Sequence, residues 1–290
     1  MKKFNLTEDD LPYFRTLHSL AFRRLGIKKE NVMQPYHYKD LGEKIKLPLS
    51  VPAWDNDDSH AFFSSESEEL NIISKAKHKQ IKVEQQYDLG EHSKEVSREK
   101  LIILANELEI YKKEYGLIDF NDMIANFIKS DKCPKFDATF IDEAQDLSKV
   151  QWDMAKNIWK KTKDSFIAGD DDQAIFRWAG ADVDSFIALD GKINQLIQSF
   201  RVPIKVHKLA ADIVNRISKR INKNWLPSKR EGAIKWYDSF DQINLKEGNW
   251  LVLTRTNYQL NDVEKILYED GMYFKSRKKK NYEADLYQAV

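Results

Sequence analysis

Two short apolar runs in this sequence each end in a cluster of carboxylates and carboxamides. "FIDEAQD" (140–146) puts Asp142, Glu143, Gln145 and Asp146 behind Phe140 and Ile141, and "SFIAGDDDQ" (165–173) puts Asp170, Asp171, Asp172 and Gln173 behind Phe166 and Ile167. Hard oxygen ligands suit Mg²⁺, which keeps waters and is shared with phosphates. A second carboxylate nearby can take a proton from an attacking water. An Asp-Glu pair after an apolar strand is therefore what hydrolysis of a nucleoside triphosphate needs. An isolated pair has a simpler explanation, since acidic residues favour the positive N-terminus of a following helix. The second acidic run shifts the balance. Ligands of open α/β sheets bind beyond the carboxyl ends of the strands, and neighbouring strands would bring both clusters to one crevice.

The elements that must position these residues can be read from hydrophobic period. "DATFIDE" predicts a short buried strand, Ala138 to Ile141, and "SFIAGDDDQ" a second. Between them Ser148 and Gln151 have capping-box spacing, and Val150, Trp152, Ala155, Ile158 and Trp159 supply an apolar helix face. Upstream, "RTLHSLAFRRLG" predicts a helix stopped by Gly26, and 94–115 a longer one closing at Gly116. "IDFNDMIANFIKS" predicts another, with Asn121 as its cap. The stretch 27–100 carries Pro35, Pro48 and Pro52 and reads as an inserted, mostly helical, loop-rich subdomain; "WDNDDSHAFFSSESEE" within it reads as a loop. Downstream, "INQLIQSF", "GAIKWYDSF" and "NWLVLTRT" are strand candidates. "PIKVHKLAADIVNRISKRI" predicts a helix through Val206, Ala210, Ile213 and Ile217, and "NYQLNDVEKILYEDG" a last one. Strands alternating with helices predict an α/β fold with a mostly parallel sheet.

Composition bounds the rest. With 290 residues, 42% of them hydrophobic, the chain can bury one large or two ordinary domains. Charged residues nearly cancel to a net +1, so a polyanion would have to be held by local patches rather than by a global basic field. Cys133 is the single cysteine, which excludes an intrachain disulfide and fits a reducing compartment. No apolar run approaches the ~18 residues of a membrane span. The opening "MKKFNLTEDDLPYF" lacks the ~7–15-residue apolar segment of a secretory signal. The expected location is cytoplasmic, or a host cytoplasm for a viral source.

At this level of detail the sequence resembles the UvrD/Rep/PcrA group of superfamily 1 DNA helicases. "FIDEAQD" is similar to that family's Walker B region, and "IAGDDDQAIFRWAGA" to the motif linking nucleotide to single-stranded DNA. "RTLHSLAFR" is similar to its Thr-x-His-Ser segment and "GLIDFNDMI" to its Asp-Phe-Asp-Asp-Leu segment. "QSFRVP" stands where the family has Asn-Tyr-Arg-Ser, and "VLTRTNYQLNDVEKIL" resembles the start of the second RecA-like domain. The resemblance runs from about residue 15 to 275, with 27–115 uncovered. It implies a RecA-like, P-loop NTPase-type parallel sheet with a helical insert. Residues 1–200 would be a partial first RecA-like domain, and 201–290 the start of a second.

The resemblance also implies roles. Asp142 would hold Mg²⁺ through water, Glu143 would orient the hydrolytic water, and Gln173 would sense the γ-phosphate. Arg201 would be an arginine finger, a residue worth ~10³–10⁵ in rate. Phe200 replaces the family's Tyr, keeping a stacking face for adenine and losing the hydroxyl. Phe176 and Trp178 would stack on nucleotide bases, at ~1–3 kcal/mol per base. Thr16 and His18 would contact the DNA backbone. Ala179 stands where many relatives carry Arg. Lys278, Lys279 and Lys280 could bind phosphate or form a solvated surface.

One part of that machinery does not occur in the sequence. A phosphate loop reads G-x-x-x-x-G-K-[ST]. Of the 10 glycines only Gly191 precedes a lysine, Lys192; the next residue is Ile193, and Phe186 stands where the first glycine would be. The chain thus reads as the middle of a helicase, expected to hydrolyse ATP very slowly or not at all alone. A split gene whose neighbour supplies the loop, a truncated gene product, and a degenerate paralogue that binds DNA or protein all fit. A metal-dependent nuclease using Asp142, Glu143 and Asp170–Asp172 would leave Arg201 and the aromatic pair without a role.

Overall fold

The structure, a computed structural model, describes residues 10–50 and 67–276. Of the loop reading at 54–69, residues 54–66 lie outside them, as do the lysines 278–280 and the first nine residues; its last two residues, Glu68 and Glu69, instead open a helix, where their charge favours the positive N-terminus.

Each helix boundary follows from local chemistry. Helix α1, Leu17–Leu25, starts where the Thr16 hydroxyl accepts the Ser19 N–H, and stops at Gly26 with φ 70°. Then come α2 (Pro35–Ile45), α3 (Glu68–Lys79), α4 (Val83–Asp88) and α5 (Arg98–Tyr115), the last closed by Gly116 at φ 63°. These four share one core, with Leu41, Ile73, Leu101 and Leu104 at its centre. Helix α6, Phe120–Lys129, is capped by Asp119 rather than by Asn121. The Asp119 carboxylate accepts the Asp122 N–H at 2.8 Å and the Asp122 carboxylate accepts the Asp119 N–H at 2.9 Å, a reciprocal pair that fixes the start two residues earlier than expected.

Strands β1 (Phe136–Ile141) and β2 (Thr162–Ile167) are parallel, with Phe140 opposite Phe166 and Ile141 opposite Ile167. Helix α7, Lys149–Trp159, connects them and carries the expected Ser148–Gln151 capping box. On one sheet face Ile141 and Ile167 pack against Trp152, Ala155 and Ala144. Alternation turns Phe140 and Phe166 to the other face, where their rings stack 4.8 Å apart and Phe140 is 76% exposed.

The sheet is smaller than the sequence suggests. The third strand expected in "INQLIQSF" is irregular chain with a single parallel bridge, Gln198 to Leu226. "GAIKWYDSF" and "NWLVLTRT" form no strand, and Trp236, Leu251 and Leu253 are each 81% exposed. Period alone cannot make a strand: its N–H and C=O groups need a neighbouring strand, and among the described residues none lies alongside.

Residues 10–195 with 214–224 form one compact unit, and 196–213 with 225–276 a second. The first holds α1–α7, both strands and α8 (Val183–Ile187); the second holds α9 (Ile204–Val214) up to residue 213, and α10 (Asn257–Glu269). Helix α9 ends at Val214, short of Ile217, because the next residues turn to meet the carboxylates beyond β2. Among the described residues no helix is long and apolar enough to cross a membrane.

Candidate functional site

The two strand ends are stitched together by main-chain and side-chain bonds. The Ala168 N–H donates to the Ile141 carbonyl at 2.8 Å, and the Ala144 N–H to the Ala168 carbonyl at 3.0 Å. Asp142 and Glu143 follow β1 and are both exposed. One Asp142 oxygen accepts the Glu143 N–H at 3.0 Å. Glu143 itself has φ 52° and ψ 38°, a left-handed conformation that a non-glycine residue adopts at a cost of order 1 kcal/mol. That backbone starts the short 3₁₀ turn Ala144–Asp146.

Gln145 lies within this turn and is only 1% exposed. Its Nε2 donates to Glu143 Oε2 at 2.8 Å and to Asp146 Oδ2 at 3.3 Å. Its Oε1 accepts the Asp170 N–H at 3.0 Å. Beyond β2, Gln173 is exposed and its Nε2 donates to Asp170 Oδ2 at 2.6 Å. Thus Asp142, Glu143 and Gln173 belong to one connected group at the carboxyl ends of adjacent parallel strands.

The aspartates of the second cluster are not available in the same way. Lys223 Nζ lies 2.6 Å from Asp170, 3.0 Å from Asp172 and in contact with Asp171. Arg220 grips Asp172 through Nε at 2.8 Å and Nη2 at 2.6 Å, a bidentate pair. The Ile221 N–H donates to Asp171 Oδ2 at 2.7 Å. Burial opposes charge on Asp172, but the hydrogen bonds from Arg220 and Lys223 outweigh it and hold its carboxyl below the usual range. Two cations already fill the space that a metal between these aspartates would need. Asp142 differs: it is a solvent-facing carboxylate, which fits a Mg²⁺ ion held through water.

The other singled-out residues are placed as follows. Trp178 is 58% exposed in the 3₁₀ turn Arg177–Ala179, and Phe176 is half-buried. The turn is anchored on both sides: the Asp182 N–H donates to the Leu147 carbonyl at 2.8 Å, and Gly180, at φ 104°, lies against His78 of α3, where a Cβ would meet the His78 Cβ at 3.0 Å. Thr16 caps α1. His18 is half-buried with its ring edge-on to Phe120 at 5.7 Å; burial, reinforced by His78, pushes it down to about 4. Phe200 and Arg201 lie in the second unit; Phe200 is 84% exposed, and no ion pair among the described residues holds the Arg201 guanidinium.

A second charged group braces the helices. Lys77 of α3 and Lys112 of α5 reach Glu109, Asp119 and Asp122, with Lys112 2.8 Å from Asp119 and 2.7 Å from Asp122. The three carboxylates have ligand atoms close enough to share a cation, and the two ammonium groups already serve as it. Nothing in the sequence pattern pointed to Lys77, Lys112, Arg220 or Lys223, because each meets its partners through the fold. Gln145 was visible inside "FIDEAQD", but its role depends on a bond to Asp170, 25 residues away.

Comparison with known proteins now adds to this geometry. The profile of the UvrD/REP helicase N-terminal domain matches residues 4–194. The chain belongs to the UvrD/REP helicase family. It is 23% identical to the ATP-dependent DNA helicase PcrA of Bacillus subtilis over 92% of this chain and 40% of that protein. It is 25% identical to DNA helicase II of Haemophilus influenzae over 79% of this chain and 33% of the relative, and 30% identical to the RecBCD subunit RecB of Buchnera aphidicola over 46% and 13%. The chain thus spans well under half the length of these relatives. The family match takes in Thr16, His18, Asp142, Glu143, Gln145, Gln173, Phe176 and Trp178; Phe200 and Arg201 fall just beyond it.

Proposed function

We propose that this chain is a segment of an ATP-dependent DNA helicase that couples ATP hydrolysis to 3′–5′ movement on single-stranded DNA. The observation that carries this reading is the convergence of Asp142, Glu143 and Gln173 at the ends of two adjacent parallel strands, joined through Gln145. The family's relatives, named as ATP-dependent DNA helicases, support it. In this reading Asp142 would hold Mg²⁺, which would supply charge neutralisation at the phosphates. Glu143 orients the attacking water and accepts its proton. Gln173 senses the γ-phosphate, Arg201 is the arginine finger, and Phe200 offers its ring to adenine. Trp178 and Phe176 stack on bases, while Thr16 and His18 lie on the DNA path. An exposed indole on an anchored turn suits sequence-tolerant stacking.

The chain alone is expected to hydrolyse ATP very slowly or not at all. Without a phosphate loop, the β- and γ-phosphates lack the backbone N–H cradle and lysine that hold them. A separate polypeptide carrying that loop would complete the site. An exposed Trp178 also fits a second reading, a non-catalytic derivative that binds DNA or protein. The nuclease reading loses support because Asp170–Asp172 are engaged by Lys223 and Arg220.

The test is ATP hydrolysis stimulated by single-stranded DNA. It is run on the chain alone and with a phosphate-loop polypeptide, such as the product of the neighbouring reading frame, with Glu143→Gln as control. Activity that appears only on mixing and vanishes in the variant supports the helicase segment. DNA binding without activity in either case supports the non-catalytic derivative.

A further inference from the structure

We infer that Gln145 is a positioning residue that couples Glu143 to Gln173, holding the water-orienting carboxylate and the phosphate sensor in one rigid frame. This rests on the reading of Glu143 and Gln173 given above.

A buried primary amide is costly unless its donors and acceptor are used. Gln145 uses both ends, each on the proposed machinery. Nε2 donates to Glu143 Oε2 at 2.8 Å, and Oε1 accepts the Asp170 N–H at 3.0 Å. Asp170 passes the link on, because its Oδ2 accepts from Gln173 Nε2 at 2.6 Å. Its other oxygen accepts the Asp172 N–H at 3.2 Å and meets Lys223 Nζ at 2.6 Å, so the carboxylate cannot swing away. A continuous path of hydrogen bonds therefore runs from Glu143 through Gln145 and Asp170 to Gln173.

A second observation is independent of those bonds. The strand end is cut to fit the amide: a Cβ at Gly169 would lie 2.7 Å from Gln145 Oε1 and 2.9 Å from Phe186 Cε2. Gly169 has no need of a left-handed backbone, so its lack of a side chain serves the close approach. Glu143 takes a positive φ at the other end of the link, where it keeps its carboxylate within reach of the amide.

The chemistry of glutamine is required. Leucine fills similar space and makes neither bond. Glutamate keeps an acceptor for the Asp170 N–H and loses the donor to Glu143, placing a third carboxylate beside Glu143 and Asp146. The two variants therefore separate the two halves of the link.

The experiment uses the isotope-labelled 290-residue chain and needs no nucleotide. Hydrogen exchange of the Asp170 amide is expected to be roughly tenfold faster in Gln145→Leu and within about twofold of the parent in Gln145→Glu. The second readout is transmission: Glu143→Gln should shift the Asp170 amide and the Gln173 side-chain NH₂ resonances in the parent chain, and leave them unmoved in a Gln145→Leu or Gln145→Met background, neither of which can bond to residue 143. A merely structural glutamine would not make one substitution's effect depend on the other. Unchanged Asp170 exchange in Gln145→Leu, or an equal response to Glu143→Gln in every background, overturns the inference. If Gln145→Leu fails to fold, Gln145→Met carries the transmission arm alone. With the phosphate-loop polypeptide added, Gln145→Leu should lower kcat roughly 10- to 100-fold with KM within threefold, as outer-shell groups do. Absence of hydrolysis in the parent mixture would count against the helicase reading only, since the resonance arm still decides the link.

Discussion

Lys112 Nζ lies 2.8 Å from Asp119 Oδ2, and both side chains are almost wholly buried, at 4% and 8% exposure. The pair joins the last turns of α5 to the cap of α6, and Lys77 brings α3 into the same group. Burial alone would raise the Asp119 carboxyl; Lys77 and Lys112 outweigh it and hold Asp119 well below the usual range.

Lys112→Met removes one cation and leaves buried carboxylates with Lys77 alone. The expected loss is about 3–5 kcal/mol, the usual cost of an orphaned buried charge. Glu109→Gln, at a position 55% exposed, should cost less than about 1 kcal/mol. Urea denaturation of the two variants separates these outcomes; equal midpoints would mean the buried pair contributes no more than a surface one.

The paired histidines give the fold an acid-sensitive seam. Burial is the main cause in both, and it pushes His18 and His78 each down to about 4. The unfolded chain takes up protons near 6.5 and the folded chain does not, so stability is complete above that value and falls as pH drops toward about 4. At pH 5 the loss is up to about 2 kcal/mol per histidine. Denaturant midpoints at pH 7.5 and pH 5 should differ in the parent chain and converge in His18→Gln/His78→Gln.

Trp178→Ala should weaken binding of an oligothymidylate by about 1–3 kcal/mol, roughly 5- to 150-fold, as loss of one stacking platform does. An indole 58% exposed contributes little packing, so the thermal midpoint should hardly move. Fluorescence anisotropy at fixed salt reads the first effect and calorimetry the second. A large fall in the midpoint with unaltered DNA binding would make Trp178 a packing residue.

Lys223→Met leaves Asp170, Asp171 and Asp172 with Arg220 as their remaining cation partner. Asp171 is 2% exposed at its side chain, so its charge has nowhere to be solvated. The segment 214–224 should then detach, and limited proteolysis should cut it at least tenfold faster than in the parent, the factor expected for about 1.4 kcal/mol. Asp171→Asn in the same background should restore most of the protection, since the charge that needed Lys223 is gone.

How much of this could be read from residues alone depends on range. Capping by Ser148 and Gln151, the stops at Gly26 and Gly116, and the two acidic strand ends are local signals, and they hold. Asn121 as a cap failed to a competitor two residues away, Asp119, whose carboxylate accepts the Asp122 N–H, while the Asn121 amide donates to the Ser74 hydroxyl. The three downstream strand candidates have the right period and, among the described residues, no neighbouring strand to bond with. Lys223 was invisible because a lysine in a polar stretch looks like any solvated lysine; only the fold brings it to Asp170.

The path of the chain between its two units sets where it can be cut. It leaves the first unit after Gln195, comes back at Val214, and departs again at Trp225. A fragment ending at residue 195 looks like a natural boundary, yet it would discard Arg220 and Lys223 and strand three aspartates beyond the end of β2. A fragment ending at residue 224 keeps both cations and necessarily carries α9 along as a loop. Any dissection of this protein into halves has to make the second cut, or swap the aspartates for neutral residues when it makes the first.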